Sequence, residues 1–192
     1  MNKLLKGISA VYYYLIGNIL VWLVYDKKYI TGRWFKTRWH NLGAPGWTWV
    51  VKNYFNCRRL GVNQNVKWPV SPLCNIKGNG IIEFCPDDLN NFQSPGCYFQ
   101  CVGNIIIGKG TYIAPNVGII TANHLFENLD VHAEAKEVNI GEKCWIGMNA
   151  MVLPGITLGD HTIVGAGSVV TKSFPKGHCI IAGNPAEIIK IL

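Results

Sequence analysis

Residues 140–171 read IGEKCW IGMNAM VLPGIT LGDHTI VGAGSV VT. An aliphatic residue returns every six positions, at Ile140, Ile146, Val152, Leu158, Val164 and Val170, and Gly follows four of the first five. Small residues stand four places on, at Cys144, Ala150, Thr162 and Ser168. A period of six is a short strand plus a corner. Three such units close one triangular turn of a solenoid with the aliphatics inside, and successive turns stack about 4.7–4.9 Å apart. Gly and the small residues relieve crowding at the corners. The spacing therefore predicts a mainly β fold built as a parallel β-helix.

Working outward, a weaker run of the same period is Val70, Ile76 and Ile82, after which CPDDLNNFQSPG breaks the phase. A loop is expected at residues 85–96. The frame returns at Cys101, Ile107, Ile113 and Ile119. From Ile119 to Ile140 is twenty-one residues, which is not a multiple of six, so a second loop must leave the coil just after His124, over 125–137. Beyond Val170, Pro175 and Pro185 punctuate the chain, and AEIIKIL reads as a final strand or short helix covering the open end of the coil. The expected organisation is an N-terminal segment (1–40), a connecting segment (41–69), the β-helix (70–174) and a C-terminal cap (175–192).

Half of the 192 residues are hydrophobic, enough for a substantial core and too many for a disordered chain. The formal charge is +7, and much of the excess lies early: Lys3, Lys6, Lys27, Lys28, Arg33, Lys36, Arg38, Lys52, Arg58 and Arg59. These charges flank an apolar stretch and no nucleic-acid-binding motif accompanies them, so a membrane surface fits better than nucleic acid. Residues 8–25, ISAVYYYLIGNILVWLVY, form an apolar helical segment slightly short of a comfortable membrane span, with no small-x-small cleavage site after it. Residues 26–40, rich in Trp and basic side chains (Trp34, Arg38, Trp39), suit a bilayer interface. Two readings of residues 1–40 follow: attachment to a membrane surface, or packing within an oligomer. Residues 41–69 read as a turn, a short strand or helix, and the entry to the coil.

Seven cysteines, an odd number without a CxxC pair, fit a reducing cytoplasm; Cys144 sits at a small-residue position as a compact hydrophobe. A zinc site needs converging ligands, and His124 with His132 lacks a third partner, so no metal is expected.

Strand alternation sends the residue before each core aliphatic outward. His124 and Trp145 hold that position, as do Met151, Thr157, Ile163 and Val169, read here as an exposed apolar stripe. Such a stripe predicts self-association, most naturally as a three-fold oligomer of prisms with clefts between them. His124 and Trp145 fall at different corners, so a site using both would be built across a subunit boundary. Moving an acyl group from a thioester to a hydroxyl needs a base for the hydroxyl proton, and imidazole titrates near neutrality. His124, outward at the lip of a loop, is the candidate. His40, His161 and His178 read as surface or capping residues, whereas His132 shares the loop of His124.

The motifs Thr121-Ala122-Asn123-His124, Cys144-Trp145-Ile146-Gly147, Leu153-Pro154-Gly155-Ile156, Gly165-Ala166-Gly167-Ser168, Val170-Thr171-Lys172 and Ala182-Gly183-Asn184-Pro185-Ala186 occur in order. Together they resemble the hexapeptide-repeat acyltransferases, closest to the galactoside and maltose O-acetyltransferase branch and its relatives in capsule and exopolysaccharide modification. The resemblance covers residues 101–190. It implies a homotrimer of left-handed parallel β-helices, with acetyl-CoA as the acyl donor in a cleft between subunits. That hand runs against the usual crossover rule and is not derivable from it. The implied reaction is direct transfer of an acyl group to a hydroxyl of a sugar or glycan precursor, with His124 as general base and the backbone N–H of Met148 holding the oxyanion.

Cofactor contacts carried over by motif are Trp145, Gly147, Ala166, Thr171, Lys172 and Lys190. The loop residues Asn123, Glu127, Asp130 and His132 are candidates to bind the acceptor, and Glu127, Asp130 or Glu134 to orient His124. Where the sugar acetyltransferases carry an acceptor-binding Asn before the first clear hexads, this chain has Gly96-Cys97-Tyr98-Phe99-Gln100-Cys101, with Gln100 or Tyr98 as substitutes. The apolar N-terminal segment adds a lipid-linked acceptor and a peripheral position on the inner face of the membrane. Alternative acyltransferases on the same fold are an N-acetyltransferase of an amino sugar or a serine O-acetyltransferase; alternatives of other classes are a metal-dependent β-helix enzyme and a non-catalytic β-helix scaffold.

Overall fold

A computed structural model describes residues 3–37 and 41–192, the side chains of Lys3 and Leu4 excepted. Arg38, Trp39 and His40 lie outside the described residues. The chain forms two compact units that divide between Pro72 and Leu73.

The first unit is helical. Helix α1 (Lys3–Leu23) carries no proline and no acidic residue, and one of its faces packs on α2 (Pro45–Leu60). Pro45 opens α2 at a position that needs no N–H, and Gly61 closes it in the left-handed region (φ 69°), its N–H donating to the Arg58 and Cys57 carbonyls. The segment expected to hold a short strand or helix is thus a helix of 16 residues. Gly17 makes the helix contact possible: a Cβ there would lie 2.7 Å from the Trp47 ring. Trp47 in turn packs edge-on against Tyr14 and Phe35, at centroid distances of 5.1 and 5.2 Å. Among the described residues, no helix is long and apolar enough to cross a membrane.

The second unit is mainly β, with fourteen strands in three sheets. The first sheet holds β1 (Asn75–Lys77), β3 (Tyr98–Gln100), β6 (Gly118–Ile120), β9 (Met151–Val152) and β12 (Val169–Val170). The second holds β2 (Ile82–Phe84), β4 (Ile105–Ile107), β7 (Val138–Ile140) and β10 (Thr157–Leu158). In the third are β5 (Tyr112–Ile113), β8 (Trp145–Ile146), β11 (Thr162–Val164), β13 (Cys179–Gly183) and β14 (Ala186–Ile191). All pairings are parallel except that of β13 with β14. From β4 to β12 the chain visits second, third and first sheet in strict rotation.

The six-residue period places one core aliphatic in each strand of this rotation. Ile119, Val152 and Val170 are in register in the first sheet, Ile107, Ile140 and Leu158 in the second, and Ile113, Ile146 and Val164 in the third. The glycine after the aliphatic is a packing requirement. A Cβ on Gly108 would stand 2.4 Å from the Gly141 carbonyl carbon, and one on Gly141 would stand 2.6 Å from the Asp160 nitrogen, so each turn lies directly on the next.

The early frame needs correction. Phe99, not Cys101, is in register with Ile119, and Phe84, not Ile82, with Ile107. Val70 belongs to the first unit and forms no strand. The expected loop at 85–96 contains a 3₁₀ segment, Pro86–Gln93, whose Leu89 and Phe92 are fully buried and whose Phe92 packs between Phe84 and Phe99. Asn91 in it donates to the Thr111 carbonyl and accepts from the Ile113 N–H, serving β5 as a neighbouring strand would.

The outward positions do not make one stripe either. Met151 and Val169 are paired on the first sheet, Thr157 lies on the second and Ile163 on the third, all half-buried. A different row emerges: Tyr112, Trp145, Ile163, Ile180 and Lys190 are in register along the outer face of the third sheet. At the C-terminus β14 covers the edge of that sheet, yet Ile188 and Ile191 stay exposed beside an open groove of about 250 Å³ against Phe174 and Pro175.

Candidate active site

The link from β6 to β7 is where the chain leaves the ladder. Thr121, fully buried, anchors its root: Oγ1 donates to the Gln100 carbonyl (2.6 Å) and accepts the N–H groups of Val102 (3.0 Å) and Gly103 (2.9 Å). The Gln100 side-chain oxygen accepts the N–H groups of Thr121 (3.2 Å) and Ala122 (2.9 Å). Those bonds use the carbonyl end of the side chain considered as a substitute acceptor ligand.

Beyond Ala122 the chain folds back as an antiparallel hairpin. Ala133 N–H donates to the Asn123 carbonyl (2.8 Å), Leu125 N–H to the Val131 carbonyl (2.8 Å), and Lys136 N–H closes the base on the Thr121 carbonyl (2.7 Å). His124 and His132 oppose each other across it, ring centroids 4.5 Å apart. His124 Nδ1 lies 2.6 Å from the Leu129 carbonyl oxygen. A carbonyl only accepts, so Nδ1 carries a proton, and Nε2 is the ring nitrogen left to accept one. The group that orients the ring is a main-chain carbonyl rather than Glu127, Asp130 or Glu134. Asn123, Glu127, Asp130 and His132 are all exposed on the same hairpin as His124, and the His132 ring lies against the His124 ring.

The motif residues assigned to the acyl donor lie elsewhere. Trp145 is exposed on the outer face of the third sheet. Met148 and Ala166 occupy successive links from third to first sheet, stacked so that Gly167 N–H donates to the Met148 carbonyl (2.8 Å). Among the described residues, neither the Met148 nor the Ala166 N–H has a hydrogen-bond partner. Gly147 is buried and its N–H is committed to the Val164 carbonyl (2.8 Å), so it offers packing, not a donor. Thr171 and Lys172, both exposed, follow β12 on the first-to-second side, the side that also carries His124. Lys172 Nζ is paired with both Glu187 carboxylate oxygens (2.7 and 2.6 Å). That exposed pair is worth about 0–1 kcal/mol, so exchanging it for a phosphate costs little.

Sequence reading missed Gln100 and Thr121 as the supports of the hairpin, and Leu129. His161 and His178 stack at 4.8 Å on the second-to-third side, apart from the hairpin. Burial raises the thiols of Cys57, Cys97 and Cys144 and pushes Cys101 up to about 11, which keeps these sulfurs protonated and poor nucleophiles. Among the described residues, no group of three or more His, Cys, Asp or Glu side chains could hold a metal ion.

Residues 137–172 match the bacterial transferase hexapeptide (six repeats) family, which agrees with the resemblance read from the motifs. A Schizosaccharomyces pombe protein provisionally named an acetyltransferase is 38% identical over 105 residues, 52% of this chain and 49% of that protein. The chain spans about half the length of the curated relatives it matches. Of solved structures, a maltose O-acetyltransferase from Clostridium difficile 630 is 35% identical and covers 62% of this chain and 59% of its own, with a TM-score of 0.47. A galactoside acetyltransferase in complex with coenzyme A is 32% identical and covers 50% and 48%, with a TM-score of 0.47.

Proposed function

We propose that this chain is an acetyl-CoA-dependent O-acetyltransferase acting on a hydroxyl of a sugar or glycan precursor, built as a homotrimer of left-handed parallel β-helices. The observation that carries this reading is His124: its Nδ1 proton is held by the Leu129 carbonyl, which leaves Nε2 as a base at an exposed position. Nε2 takes the proton of the acceptor hydroxyl as its oxygen attacks the thioester carbonyl. The Met148 N–H, which has no partner among the described residues, stabilises the tetrahedral oxyanion. Collapse breaks the C–S bond, and the His124 imidazolium returns its proton to the departing thiolate, so the product ester and free CoA thiol balance the reaction. Burial of Cys57, Cys97, Cys101 and Cys144 favours this direct transfer over a cysteinyl intermediate.

The row from Tyr112 to Lys190 suits the donor: an apolar strip of about 19 Å at strand spacing, ending in a cation that meets a phosphate. Ala166 N–H, Thr171 and Lys172 complete the donor contacts, and Asn123, Glu127, Asp130 and His132 face the acceptor. Because His124 and Met148 stand on different links of one chain, each site takes His124 from one copy and Met148 from its neighbour. The proposal places the chain in the cytoplasm, peripheral to the inner face of a membrane, which suits seven free thiols.

The test is His124→Ala, assayed by free-thiol release with acetyl-CoA and a panel of sugar acceptors. Turnover should fall about a thousandfold, with the affinity for CoA by calorimetry unchanged. Full activity in that variant would sink the assignment.

A further inference from the structure

Helix α1 has a second apolar face. Leu5, Ile8, Tyr12, Leu15, Ile19 and Trp22 recur in alternating steps of three and four, which puts them on one stripe of the helix, and each is between 51% and 75% exposed. The side that meets α2 is the opposite one, where Gly17 takes the Trp47 ring and Leu20 and Val21 are buried. A stripe of this size is rarely left in water. The charge around it says what covers it. Residues 1–72 hold eleven Lys and Arg against one acid, Asp26, a net +10, whereas residues 73–192 hold seven against ten acids, a net −3. Lys27 and Lys36 project from the short 3₁₀ turns that follow the helix, and Trp22 and Tyr12 are side chains that settle between headgroups and acyl chains.

We propose that α1 docks in the plane of an anionic phospholipid bilayer, its Leu5-to-Trp22 stripe sunk to the acyl boundary and the basic residues of the first unit on the headgroups. Without a span, the helix lies in the interface rather than across it. Stripe-to-stripe packing of two copies would bring two units of charge +10 together, whereas anionic lipid neutralises them. The inference uses none of the acyl-transfer chemistry, so either can fail alone.

Flotation of the full chain with vesicles tests it. The protein should float with phosphatidylcholine vesicles containing phosphatidylglycerol, float about tenfold less with phosphatidylcholine alone, and be released by high salt. A double variant, Leu15→Glu with Ile19→Glu, should lose at least about tenfold in binding, while the control Ile81→Glu, exposed in the other unit, binds normally. Lys27→Glu with Lys36→Glu, whose helix content can be checked by circular dichroism, should also lose about tenfold or more. Undiminished flotation of either double variant overturns the proposal. Equal binding to both vesicle types does so too. So does a lipid-free oligomer that falls apart in the Leu15→Glu, Ile19→Glu variant, because a second copy would then be the occupant.

Discussion

The link from β6 to β7 and the link from β8 to β9 both join neighbouring sheets of the strand unit, yet one runs over residues 121–137 and the other over only 147–150. The long link has room to fold on itself, and its hairpin aims a side chain, His124, through a main-chain carbonyl. The short link has no room for side-chain architecture. Its turn is closed by stacking on the turns above and below, and besides the exposed Met148 and Asn149 side chains it carries a backbone N–H, that of Met148, without a partner among the described residues, as does Ala166 on the next turn. On the proposed reading, the proton acceptor and the oxyanion donor come from opposite kinds of structure, on different links of the same chain. Acyl transfer needs both within one site.

The largest effect that probes this division is complementation. His124→Ala and Met148→Pro, the second removing the donor N–H, should each be nearly inactive. Mixed, unfolded and refolded together, they should recover about a quarter of wild-type turnover, since one interface in four pairs an intact His124 with an intact Met148 N–H. Recovery is read against each variant refolded alone, with thermal melts showing that both fold. A mixture no more active than its components would mean that one chain supplies both groups.

A smaller effect separates the ways the two links are held. Thr121→Val removes one hydroxyl that makes three bonds at the root of the hairpin and deprives the N–H groups of Val102 and Gly103 of their acceptor in a part-buried turn. A loss of about 2–4 kcal/mol is expected in denaturant titration. Activity should fall further than the unfolded fraction explains, because the hairpin root also sets the position of His124. Unchanged stability would show that the hairpin is supported from elsewhere.

How much of this could be read before the structure depends on which residues carry it. The hexads from Ile140 to Val170 are strict, and each of their six aliphatics is at most 1% exposed, because every link among them is short and a period of six leaves no freedom. The frame failed earlier for a physical reason. Phe84 to Ile107 takes twenty-three residues and Phe99 to Ile119 takes twenty, where three hexads take eighteen. The surplus between Phe84 and Phe99 folds into the 3₁₀ segment, whose Leu89 and Phe92 enter the core, so aromatic rings hold places that an aliphatic count assigns to Ile82 and Cys101. That a loop leaves the coil between Ile119 and Ile140 was legible as arithmetic, but it leaves at Thr121 and not after His124, so His124 sits within the hairpin and not at the end of a coil strand. The carbonyl of Leu129 was not legible, since every residue has one and only the hairpin register selects it.

The smallest effect expected is also the sharpest statement about the short link. If Met148 acts through its N–H alone, its half-exposed side chain is dispensable. Met148→Ala should leave kcat and KM for acetyl-CoA within about twofold of wild type, whereas Met148→Pro, altering the same residue at the donor itself, should cost about a hundredfold to a thousandfold in kcat. The contrast matters more than either value. A side chain that touched the acyl group would make the alanine variant lose kcat. A donor located elsewhere would spare the proline variant. Only a backbone role yields a silent alanine beside a disabling proline, and it would explain how a turn with no room for side-chain architecture can still stabilise the charge that His124 helps to create.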